Sequence, residues 1–147
     1  PNLKGLTNVL AEDLDYREIL RSTKVKGLDI LTGGPKPPNP SELLGSDKMR
    51  TFLESLKKDY DIIILDTPPV LPVTDAAILA SLVDGVVLVS SYGQTTFEGL
   101  ARAKVQLENV DAKILGVILN KVPTSKRSGH YYYYYYYDGY SSPGKSE

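Results

Sequence analysis

The residues best suited to chemistry stand where apolar runs stop. Ile62, Ile63, Ile64 and Leu65 lead directly into Asp66, which Thr67, Pro68 and Pro69 follow. A rigid buried strand that carries one carboxylate to a sheet edge can hold Mg2+, directly or through water, beside nucleotide phosphates. The same pattern suits an Asp that turns the chain or caps the next helix, and the spacing alone leaves both readings open. Asn120 closes the apolar run 114–119. Its amide carries donors and an acceptor and can pair with an adenine edge, which needs one of each, and it equally suits a turn after a strand. Gly33, Gly34 and residues 90–93 end two further apolar segments. Asp75 reads as a helix N-cap, Asp84 with Gly85 as a turn into a strand, Tyr92 and Phe97 as packing residues, and His130 as a solvated residue.

Elements of regular structure must position these groups. Residues 14–21 predict a short helix with Leu14, Ile19 and Leu20 on its apolar face. Residues 27–34 predict a short strand ending in a turn. Residues 36–40 hold Pro37, Pro38 and Pro40 and must be extended, because a residue before proline is pushed out of the α region. Ser46 or Asp47 caps a helix running to about residue 58, with Met49, Phe52, Leu53 and Leu56 on one face. Residues 61–66 are apolar on both faces, as a central parallel strand is. Thr74 or Asp75 starts a helix to about residue 82, and residues 85–90 form the next buried strand. Thr95 or Thr96 starts a helix to about residue 108, and residues 114–119 form a further buried strand. Alternating strands and helices predict an α/β fold, a mostly parallel sheet flanked by helices with right-handed crossovers. Such sheets bind ligands at the carboxyl ends of their strands, where the groups named above stand.

Composition excludes several alternatives. The 147 residues contain no Cys and one His, which removes disulfide scaffolds, Cys-ligated zinc, cysteine nucleophiles and His-rich metal sites. Lys and Arg total 17 against 18 Asp and Glu, so no basic footprint for nucleic acid exists and no nucleic-acid partner is expected. No apolar stretch approaches the roughly 20 residues of a membrane span. The chain divides into a globular unit, residues 1–122, and a tail, residues 123–147, that lacks Leu, Ile and Phe and whose composition predicts disorder. That tail holds Tyr131, Tyr132, Tyr133, Tyr134, Tyr135, Tyr136, Tyr137 and Tyr140. A packed strand of seven aromatics would bare rings on both faces and invite aggregation, whereas an accessible row of phenols makes sense as a redundant set of phosphoacceptors. Residues 139–146 match the spacing G-x-x-x-x-G-K-S, but a phosphate loop needs a buried strand before it and a helix after it. A polar tail precedes this stretch and only Glu147 follows, so the match reads as coincidence.

Taken together, residues 5–10, the segment 40–46 with Met49, residues 60–70, 74–76, 83–85 and 115–120, and the terminal tyrosine cluster resemble the kinase domain of bacterial tyrosine kinases of capsule and exopolysaccharide synthesis. Within that resemblance the strand ending at Asp66 is the Walker B motif of a P-loop NTPase-like fold of the deviant Walker A type. The resemblance implies an ATP-dependent autophosphorylating protein-tyrosine kinase that regulates polysaccharide polymerisation and export. It implies ATP and Mg2+ as cofactors, with Asp66 holding the metal and polarising the attacking phenol and Asn120 contacting adenine. It also implies a ring of subunits with each tail in a neighbour's site, and a membrane-bound polysaccharide co-polymerase that activates the kinase. A cytoplasmic location at the inner face of the plasma membrane, through a partner or an upstream membrane segment, follows. The family's Gly-Lys-Ser/Thr loop and Asp-x-Asp strand end would precede Pro1, so the chain is expected to lack the N-terminal strands and to be inactive alone. The alternatives are a partitioning-type ATPase of the same superfamily, which has no use for the tyrosines, and a non-catalytic phosphoacceptor or docking module.

Overall fold

The computed structural model describes residues 4–123. The elements are α1 (Leu6–Glu12), β1 (Arg21–Ser22), β2 (Asp29–Ile30), α2 (Pro40–Leu44), α3 (Asp47–Asp59), α4 (Asp75–Ala80), β3 (Val86–Ser91), α5 (Phe97–Glu108) and β4 (Ile114–Asn120). The class is mixed α/β: β3 and β4 pair in parallel from Val86 opposite Ile114 to Ser91 opposite Asn120, with α5 as the crossover. β1 and β2 form a separate antiparallel pair.

α3 organises the core. The Ser46 hydroxyl accepts from the Met49 N–H, Asp47 stands in the first turn and Lys57 and Lys58 in the last, so caps and charges suit the helix dipole. Met49, Phe52, Leu53 and Leu56 recur at helical spacing and are buried with Leu10, Tyr16 and Leu79. The Tyr16 ring meets Phe52 edge-on, with centroids 5.6 Å apart. The Tyr16 hydroxyl donates to Asp59 Oδ2 at 2.5 Å, and Arg17 Nη2 donates to the same oxygen at 2.6 Å.

α1 was not anticipated. Its first amides are satisfied from outside the helix: Leu6 and Thr7 N–H groups donate to the Thr32 and Gly33 carbonyls at 2.8 and 2.9 Å, and the buried Asn8 side chain accepts from Gly5 N–H. A Cβ on Gly5 would lie 2.1 Å from the Thr32 carbonyl oxygen, so only glycine lets these backbones meet.

Several expectations are corrected. Residues 14–21 do not form a helix. One 3-10 turn, Tyr16–Glu18, is closed by the Asp15 carboxylate on Arg17 N–H, after which Arg21 joins β1. The core takes Tyr16, a residue outside the expected apolar face. The strand expected over 27–34 shortens to Asp29–Ile30, since Gly27 turns at φ +79° and residues 32–34 serve α1. Residues 61–66 join no ladder among the described residues. β3 and β4 are not buried on both faces: Val87 and Val89 are exposed, as are Leu115, Val117 and Leu119, because two strands alone cannot be covered as a wider parallel sheet is. Tyr92 and Phe97 do not pack, and Phe97 is 94% exposed. Thr96 caps α5 as expected, its hydroxyl accepting from Gly99 N–H.

Two predictions follow from this packing. Met49 is fully buried, so Met49→Ala should cost about 2–5 kcal/mol in chemical denaturation, and a loss below 1 kcal/mol would remove α3 from its organising role. The bonds from Tyr16 and then Arg17 hold the Asp59 carboxyl below the usual carboxylate range, while burial and then Asp59 raise the Tyr16 phenol. A lowered folded value stabilises above the ordinary carboxylate range, near pH 4, and is lost as pH falls through it. A raised phenol value stabilises below about pH 10 and is lost as pH climbs. Denaturation curves between pH 2 and 6 should therefore steepen toward acid, and Tyr16→Phe should flatten that limb; an unchanged limb would contradict the assignment.

Candidate functional site

Alternation along residues 61–66 decides where Asp66 points. Ile63 and Leu65 are half-buried against the core, whereas Ile62 and Ile64 are 78% and 86% exposed. Two-residue periodicity places Asp66 on the side of Ile62 and Ile64, and it is exposed. It takes no hydrogen bond or ion pair from the described residues, leaving both carboxylate oxygens available. The loop beyond it is tethered: Gln106 Nε2 on α5 donates to the Val70 carbonyl at 2.9 Å. Ser41 Oγ on α2 donates to Asp75 Oδ1 at 2.9 Å and lies 3.0 Å from Thr74 Oγ1. Asp75 is thus not the N-cap; Thr74 holds that position, and the Asp75 carboxylate binds α2 to α4.

The second cluster stands at the carboxyl ends of β3 and β4. Tyr92 N–H donates to the Asn120 carbonyl at 2.8 Å, continuing the ladder past Ser91. Ser91 N–H donates to Thr95 Oγ1, and the Gln94 and Thr95 N–H groups donate to the Ser91 carbonyl, closing the loop that begins at Gly93. Lys121 Nζ reaches Gln94 Oε1 at 3.3 Å. Lys121 adopts φ +58°, uncommon for a side chain of its size, and its N–H donates to Asn120 Oδ1 at 2.7 Å. One amide oxygen lone pair is therefore used locally, and the Asn120 Nδ2 has no partner among the described residues. Asn120 and Tyr92 are joined through the ladder; no hydrogen bond connects Asp66 to them. Lys121 was not singled out from sequence, and only its place after a strand-ending Asn pointed to it.

The phosphoacceptor candidates Tyr131 to Tyr137 and Tyr140, His130 and the stretch 139–146 lie outside the described residues. Among the described residues no three His, Asp or Glu side chains converge on a metal position, so Asp66 stands as a single carboxylate. A separate apolar groove of about 210 Å³ between α1 and α2, lined by Leu6, Leu10, Pro37 and Leu43, touches neither Asp66 nor Asn120. No helix among the described residues is long and apolar enough to cross a membrane.

Residues 2–119 match the family model described as an AAA domain. The chain is 44% identical over 132 residues to the tyrosine-protein kinase YwqD of Bacillus subtilis, covering 88% of this chain and 56% of that protein. It is 43% identical over 123 residues to the tyrosine-protein kinase CpsD of Streptococcus agalactiae, covering 84% of this chain and 54% of that protein. It thus spans little more than half the length of these relatives. Among solved structures, the chimerical protein CapA2B2 superposes with a TM-score of 0.79 at 38% identity, covering 84% of this chain and 54% of that one. The kinase domain of Escherichia coli tyrosine kinase ETK superposes at 0.75 and 34% identity, covering 85% of this chain and 51% of that one. With the parallel β3–β4 pair and the strand-end groups in place, the chain belongs to the AAA domain family, in the group formed by the bacterial tyrosine kinases.

Proposed function

We propose that this chain carries the Walker B and base-reading edge of an ATP-dependent autophosphorylating protein-tyrosine kinase that regulates capsule or exopolysaccharide polymerisation and export. The observation that carries the reading is the 39–44% identity to proteins named tyrosine-protein kinases across more than four-fifths of the chain. The local chemistry agrees with it. Asp66 offers an exposed, unengaged carboxylate at the end of an aliphatic segment, which fits a magnesium ligand. Asn120 offers free amide donors at the end of β4, which fits a purine edge. Mg2+ and ATP, when bound, supply the transferable phosphoryl group and neutralise its charge. This chain's contribution is positioning: Ile63 and Leu65 anchor the segment, Asp66 faces outward to orient and polarise the acceptor phenol, and Gln106 fixes the loop behind it.

Tyr131 to Tyr137 and Tyr140 are the phosphoacceptors in this reading, presented to the site of a neighbouring copy in a ring. A membrane-bound polysaccharide co-polymerase is the activating partner, and it places the kinase at the inner face of the plasma membrane. Each phosphotyrosine adds about −1.5 to −2 charge. Neighbouring phosphates in the run fall well within the Debye length of about 8 Å and repel one another and the carboxylates of the site. Phosphorylation therefore loosens the ring.

Two experiments test this reading. These 147 residues alone should not label their own tyrosines with ATP and Mg2+. Joined to the residues by which the Bacillus subtilis relative exceeds them, they should do so, and Asp66→Asn should slow that labelling at least about 100-fold. Undiminished labelling by the Asp66→Asn form would overturn the assignment. In the same active protein, light scattering should find a large assembly when the eight tail tyrosines are Phe and a smaller one when they are Glu. Equal size for both would leave the run without a switching role.

A further inference from the structure

Resting on the magnesium reading of Asp66, we propose that Ser41, at the start of α2, is a positioning residue for that carboxylate and acts on it through a stiff loop. No strand ladder holds Asp66 among the described residues. Its place comes from Ile63 and Leu65, packed against the core on one side, and from residues 67–74 on the other. That loop holds Pro68, Pro69 and Pro72. Each ring fixes its own φ, and each residue before a proline, here Thr67, Pro68 and Leu71, is kept out of the α region. Little backbone freedom is left to absorb a displacement at the far end, so a shift at Thr74 is passed back toward Asp66.

Side chains from two other elements pin the loop. Gln106 on α5 donates to the Val70 carbonyl at 2.9 Å. Ser41 Oγ donates to Asp75 Oδ1 at 2.9 Å and lies 3.0 Å from Thr74 Oγ1. A hydroxyl has one proton and a carboxylate only accepts, so the Ser41 proton is committed to Asp75 and the Thr74 hydroxyl donates to Ser41 Oγ. The chain from Thr74 through Ser41 to Asp75 therefore runs in one direction and ends on a charge, which makes its last bond the strong kind. Ser41 is the member that comes from another element. Removing its hydroxyl breaks both bonds at once and frees the end of the loop from α2. The anchor is itself stiff, because the chain enters α2 through Pro37, Pro38 and Pro40. One turn further along α2, a Cβ on Gly45 would stand 3.6 Å from Ile78 Cγ2, so α2 and α4 also meet through apolar atoms. That contact holds the helices together without gripping the loop, and the two roles can be separated.

Tail labelling by the active protein, these residues joined to those by which the Bacillus subtilis relative exceeds them, tests the proposal. Ser41→Ala should lower kcat about 10- to 100-fold and leave KM for ATP within about twofold, since a misplaced carboxylate impairs phosphoryl transfer more than nucleotide binding. Ser41→Thr, which keeps the hydroxyl, should stay within about twofold of wild type in both. Thr74→Val should also lower kcat, and combined with Ser41→Ala it should add nothing, because the chain is already broken. Ile78→Ala thins the apolar contact and should lower the denaturation midpoint while kcat stays within about twofold of wild type. Equal losses of kcat in Ser41→Ala and Ile78→Ala would mean packing alone and overturn the proposal. Wild-type kcat in Ser41→Ala, with Asp66→Asn still slow, would overturn it and leave the magnesium reading standing. Undiminished labelling by Asp66→Asn would overturn both.

Discussion

Everything at the candidate site depends on which way residues 61–66 face. Burying Ile63 and Leu65 against the α3 stripe leaves the even-numbered side chains on the other side, and Asp66 goes with them. A slip of one residue would turn the carboxylate into an apolar core, where an unpaired charge is costly. The cluster of Met49, Phe52, Leu53 and Leu56 therefore does more than stabilise α3. It sets the direction of a carboxylate that lies outside the helix.

Around that constraint the chain uses polar ties between elements. Gln106 holds the loop after Asp66 from α5, Ser41 joins α2 to the start of α4, and Tyr16 with Arg17 anchors the end of α3 through Asp59. The β3–β4 edge is braced separately, through Tyr92, Gln94 and Lys121. The site thus consists of two independently fixed edges. In the proposed reading a divalent cation belongs to the first edge and a nucleobase to the second.

Legibility in the sequence followed the physics of each element. α3 was readable because a serine cap and a four-residue apolar stripe agree, and β3, α5 and β4 because aliphatic runs and the Thr96 cap agree. The helix expected over 14–21 failed because its apolar residues were weighed without Tyr16, whose ring the core took and whose turn ends within three residues. α1 was missed because glycine is a weak start signal and its first amides are satisfied by Thr32 and Gly33, a pairing no local pattern announces. Asn120 was legible as a strand end, whereas the run ending at Asp66 read as a strand and pairs in no ladder among the described residues.

The central claim is that Asp66 and the Asn120 edge serve one metal nucleotide. The direct measurement, made on these residues joined to those by which the Bacillus subtilis relative exceeds them, is paramagnetic broadening of backbone amide signals by Mn2+ in the presence and absence of ADP. The account predicts that Mn2+ with ADP broadens Thr67, Tyr92 and Lys121 in one titration, and that Asp66→Asn abolishes the broadening at all three. Broadening confined to surface carboxylates such as Glu98 and Glu108, with Thr67 and Lys121 unaffected, would contradict it.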